Sequence, residues 1–128
     1  MNGITQNLMN YEKHGIDLKV LDLDDMPDFP IEKHFEEANA FIDQYVSNQK
    51  SILVICTAGV SRSAALVISY LIKHKRMPYK IAFNTVKRAR VFIQPNVGFE
   101  RALKKYAETY SCELCDMERK TPWFDQYA

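Results

Sequence analysis

The rhythm of apolar and polar positions changes several times along the chain, and each change marks a different element. Short apolar stretches near Ile4 to Leu8 and Leu18 to Leu23 predict weak strands. From Ile31 to Val46 the apolar positions Phe35, Ala38, Phe41, Ile42 and Tyr45 repeat at helical spacing, with Pro30 suited to the helix start. The run Ile52 to Ile55 predicts a buried strand, and the nearly continuous Ala64-Ala65-Leu66-Val67-Ile68 makes the next helix, Ser63 to Lys73, a central one. Pro78 opens a further helix bearing Ile81, Ala82, Thr85, Val86 and Ala89. A last helix carries Phe99, Ala102, Leu103, Tyr106, Ala107 and Tyr110. Strands alternating with helices predict an α/β layered domain.

Composition narrows this picture without redirecting it. At 128 residues, 47% hydrophobic and 26% charged, the chain can build one core but not two. A net charge of +1 carries no nucleic-acid or membrane signature. The run Ile52 to Ile55 is far too short to span a bilayer, and polar Thr5 to Asn7 do not suit a signal peptide. The expectation is a cytoplasmic protein, extending to the nucleus, with reduced thiols. No repeat, glycine-serine linker or low-complexity tract interrupts it.

The candidate chemistry sits in Ser51-Ile-Leu-Val-Ile-Cys-Thr-Ala-Gly-Val-Ser-Arg-Ser63. Thr57, Ala58, Gly59, Val60 and Ser61 have no bulky polar side chain, so the loop can curl with its backbone N–H groups pointing inward as an anion nest. The helix beginning near Arg62 and Ser63 aims its positive end at the same place. A cysteine there, beside an arginine, has its pKa pulled down, which makes Cys56 a covalent nucleophile. Arg62 offers a planar fork for two phosphoryl oxygens, and Ser63 can donate a hydrogen bond to the sulfur and ease its departure.

Cys-Thr-Ala-Gly-Val-Ser-Arg-Ser resembles the signature loop of the cysteine-based protein tyrosine phosphatase superfamily, and Ala-Gly-Val-Ser-Arg-Ser-Ala resembles its dual-specificity branch. With Leu21-Asp-Leu-Asp-Asp-Met-Pro27 and Phe35 upstream and Arg90-Val-Phe-Ile-Gln-Pro-Asn-Val-Gly-Phe99 downstream, the resemblance covers residues 16–107. It implies a three-layer α/β fold with a central mixed sheet flanked by helices. Such domains carry two more strands and a short helix before Gly3-Ile-Thr5, so the fold is expected to be N-terminally shortened, with a catalytic domain over 1–110 and an extension over 111–128. The sheet edge thereby exposed would favour a homodimer.

Expulsion of an alkoxide or phenoxide needs a proton donor, and Asp22, Asp24, Asp25 and Asp28 compete for that role. The resemblance selects Asp25 by its spacing to Pro27 and Phe35. It also implies that Asn96 holds the signature loop through a serine such as Ser61, a role compatible with capping the last helix. The family has histidine before the nucleophile where this chain has Ile55, which predicts a weaker enzyme.

The substrate implied is a phosphorylated protein carrying phosphotyrosine and phosphoserine or phosphothreonine. The loop lacks the lysines of phosphoinositide-cleaving relatives and the histidine-containing wording of messenger-RNA triphosphatases. Capture of phosphoproteins with slow or no turnover stands as the alternative, and RNA or lipid phosphatase activity as a lesser one. Neither cofactor nor metal is implied. Cys112 and Cys115 read as surface thiols, and His14, His34 and His74 lack motif partners. Lys73-His-Lys-Arg76 reads as a solvated helix end, Arg88 and Arg90 as aids to recruiting a second phosphate, and Lys120 to Ala128 as a folded-back or mobile tail.

Overall fold

The computed structural model describes residues 11–111. The expected strand near Ile4 to Leu8, Cys112, Cys115 and the tail lie outside them.

Pro30, which lacks an N–H, precedes a single 3-10 turn at Ile31–His34 that leads into helix α1, Phe35–Val46. The helix expected over 31–46 is therefore two pieces. Its buried positions, Phe35, Ala38, Asn39 and Ile42, form one stripe.

Helix α2, Arg62–His74, is buried on most of its circumference, with Ala64, Ala65, Leu66, Ile68, Ser69, Tyr70 and Ile72 all covered. It packs against α1 on one side and against α3, Tyr79–Ala89, and α4, Val97–Ser111, on the others. Small residues at positions 63–65 let its first turns lie close to their neighbours. The core joins Ile31, Phe35, Ile68, Ile72, Ile93, Phe99 and Leu103, so the 3-10 turn, the 90–96 connection and the helices share one interior.

One polar chain crosses that interior. Ser69 Oγ donates to Asn39 Oδ1 at 3.1 Å, Asn39 Nδ2 donates to Tyr106 Oη at 3.0 Å, and Tyr106 donates onward to Glu36 Oε1 at 2.7 Å. The fully buried Asn39 amide thus has both ends satisfied and links α1, α2 and α4.

The central mixed sheet expected from the sequence is not seen: among the described residues there is no strand. Residues 16–24 and 51–56 are not helical, and no backbone hydrogen bond joins one to the other. Ile52 and Val54 are half-buried while Leu53 and Ile55 are 80% and 63% exposed, so the apolar run covers one face only and is not a strand buried on both. The correction has a physical cause. Alternation in a sequence reports which side chains seek cover, whereas a strand exists only once a second segment answers its N–H and C=O groups. The sheet edge on which the homodimer expectation rested is accordingly not formed among these residues.

Candidate active site

Cys56 lies where the extended 51–56 segment meets a loop that turns into α2. Gly59 adopts a positive φ of 67°, a conformation glycine reaches without strain, and curls the loop back over the sulfur. The Gly59 N–H points at Cys56 Sγ at 3.2 Å, and Ser63 Oγ, in the first turn of α2, also lies 3.2 Å from it. Burial pushes the thiol pKa up. The Ser63 hydroxyl and the backbone amides of Ser63, Gly59 and Val60 outweigh it, bringing the value from an ordinary 9.0 down to about 7. A large fraction is thiolate at neutral pH.

The outer side of this loop is tied to the connection between α3 and α4. Arg90 Nε donates to Gly59 O at 2.9 Å, the Gln94 N–H to Val60 O at 2.8 Å, and the Asn96 N–H to Ser61 Oγ at 3.0 Å. Ser61 is buried, so that hydroxyl contact anchors the loop from inside the fold. Thr57 and Ala58, which follow Cys56 in the loop, are exposed.

Asn96 does three things at once. Its N–H holds Ser61, its Oδ1 accepts the Phe99 N–H at 2.9 Å and so caps α4, and its Nδ2 donates to Asp25 Oδ1 at 2.9 Å. The contact with Ser61 is made by the Asn96 backbone, while the side chain caps α4 and reaches Asp25, a contact the sequence did not show. Of the four competing aspartates it is Asp25 whose carboxylate is joined to the loop's anchor, while Asp22, Asp24 and Asp28 stand outside that link.

Two further contacts draw the acidic segment toward the cradle. Arg62 Nη1 donates to Leu23 O at 3.1 Å, spending one arm of its fork on the chain that leads into Asp25. At Gly98, a Cβ would lie 1.8 Å from Pro27 O, so only glycine lets the start of α4 touch the acidic segment backbone to backbone. The Asn-Val-Gly spacing carried that signal, since a glycine inside the first turn of a helix otherwise weakens it. Ile55, where the resembling family has histidine, turns its side chain mostly to solvent. Among the described residues no three metal-binding side chains cluster, and no helix is long and apolar enough to cross a membrane.

Cys56 and Arg62 bound the loop, Asp25 is tied to its anchor through Asn96, and the catalytic domain of the dual specificity phosphatases is the family whose model matches residues 1–109. The chain belongs to this family. The dual specificity phosphatase domain is 47% identical over 93 residues to MAP kinase phosphatase with leucine-rich repeats protein 3 of Dictyostelium discoideum, covering 71% of this chain and 10% of that protein. It is 39% identical over 88 residues to the dual specificity protein phosphatase MPK-4 of Drosophila melanogaster, covering 69% and 23%. The phosphatase domain thus spans less than a quarter of either relative. Among solved structures, it superposes on the human tyrosine phosphatase-like serine/threonine/tyrosine-interacting protein with a TM-score of 0.68 at 36% identity, covering 79% of this chain and 72% of that one.

Proposed function

We propose that the chain hydrolyses phosphorylated tyrosine, serine and threonine side chains of proteins through a phosphocysteine intermediate. The observation that carries this is the Cys56 thiol, brought to about 7 by Ser63 and the loop amides at the N-terminus of α2. The family and the dual-specificity relatives support the substrate class.

In the first step the Cys56 thiolate attacks phosphorus, forming an S–P bond as the P–O ester bond breaks. Asp25 gives its proton to the departing oxygen. Arg62 and the amides of residues 57–62 take the charge of the equatorial oxygens. In the second step water attacks phosphorus, Asp25 removes its proton, and the S–P bond breaks to release phosphate and regenerate the thiolate. Ser63 stabilises the leaving sulfur by the contact it already makes. A thiol of this reactivity works only where it stays reduced, which fits a cytoplasmic or nuclear setting. Capture without turnover is not favoured, since nucleophile, arginine and acid are all retained.

The test is a rapid-quench reaction with an aryl phosphate. A burst of product with a phosphate adduct on Cys56 is expected, and Cys56→Ser should abolish both, lowering turnover by at least about a thousandfold. Undiminished turnover by the serine variant would sink the proposal.

A further inference from the structure

The loop's inner face has been accounted for by the amides that surround the sulfur, but its outer face carries a contact the reaction scheme does not use. Arg90 Nε donates to the carbonyl of Gly59 at 2.9 Å. That carbonyl and the Val60 N–H belong to one peptide plane, and no cis bond occurs in the described chain, so the two groups point in opposite directions. The outward end of the plane meets Arg90, and the inward end is one of the amides that stabilise the Cys56 thiolate.

We propose that Arg90 is a positioning residue: by holding the Gly59 carbonyl from outside, it fixes the Gly59–Val60 peptide plane with its amide turned into the phosphate cradle. The inference rests on the phosphatase reading of the site and adds a residue to it. A charged donor on the carbonyl also polarises the plane, which strengthens the amide at its other end as a donor.

The surroundings are built for this arrangement. A Cβ on Gly59 would lie 2.6 Å from Arg90 Nη2, so the guanidinium occupies the space that the missing side chain leaves. The backbone of Arg90 is itself fixed, since its N–H donates to Val86 O at 2.9 Å in the last turn of α3, and its extended φ and ψ of −144° and 97° break the chain away from that helix. The adjacent plane, Val60–Ser61, is braced in the same way by the Gln94 N–H at 2.8 Å. That second brace is main chain and survives any non-proline substitution. Arg90 is the side-chain member of the pair, and therefore the one that sequence can tune.

The experiment is the pH dependence of Cys56 alkylation by iodoacetamide in the native chain, Arg90→Ala and Arg90→Lys. Arg90→Ala is expected to slow alkylation about three- to tenfold near about pH 6.5 and to leave the alkaline plateau, where every thiol is ionised, unchanged. Arg90→Lys, which keeps a charged donor without the planar fork, is expected to fall between. The shift should persist in high salt, because a hydrogen bond is not screened as a distant charge is. Superimposable profiles, equal slowing at every pH, or a shift that disappears in salt would each overturn the inference. A native midpoint near the free-thiol value of about 8.5 would instead overturn the phosphatase reading itself, so the two failures are distinguishable.

Discussion

The two flanks of Cys56 are built in opposite ways. On the C-terminal flank, residues 57–63 are braced by Arg90, Gln94 and Asn96 of the connection between α3 and α4, whose Ile93 is buried in the core. On the N-terminal flank, residues 51–55 leave Leu53 and Ile55 exposed and make no backbone hydrogen bond to residues 16–24. The contrast teaches that the site's geometry is carried by α2, the 90–96 connection and the cap of α4. It does not depend on a ladder reaching Cys56 from upstream.

Breaking the braced side should therefore show in catalysis, and changing the open side should not. The largest effect after loss of the nucleophile is expected from Asp25→Asn, which removes the proposed proton donor and should lower kcat about a hundredfold or more for phosphopeptides. Aryl phosphates with acidic leaving groups should lose less, and steady-state kinetics on both substrate types would check it. An equal loss on both would argue that Asp25 acts by position alone.

Asn96→Ala removes the α4 cap together with the hold on Asp25. Thermal or urea unfolding should show about 1 kcal/mol of destabilisation from the cap, with kcat falling about tenfold as Asp25 loses its partner. Ser63→Ala sharpens the comparison through pH. The folded Cys56 pKa is depressed, so the thiolate is present above about 7 and lost as pH falls through it. Without the Ser63 hydroxyl the midpoint rises, and kcat/KM should drop between roughly pH 6 and 7 while recovering on the alkaline side. A profile that falls equally at all pH values would contradict the assignment.

The smallest effect belongs to the open flank. Leu53→Thr, at a position 80% exposed, should change stability by about 0.5 kcal/mol or less and leave the Cys56 titration in place.

The same contrast explains how much could be read from the chain. The helices were legible because their signals are local: the stripe Phe35, Ala38, Ile42, the Pro78 start and the Asn96 cap each lie within a few residues of what they specify. Cys56, Ser63 and the loop between them were legible for the same reason. The sheet was expected and is not formed among the described residues, since strand pairing is a relation between distant segments that the alternation of either cannot report. The Asn96 link to Asp25 spans 71 positions, and the Arg90 link to Gly59 spans 31, so neither has a local trace. The sequence showed the charge of Arg90 but not its contact with Gly59.

Gly98 has a consequence for placement. Because the start of α4 meets Pro27 with no side chain between them, the acidic segment lies directly on the helix backbone. Any side chain at 98 would push Pro27 off the helix and, through Met26, disturb the contact of Asp25 with Asn96. The helix that closes the core at Phe99 and Leu103 thereby also sets where the acidic segment lies.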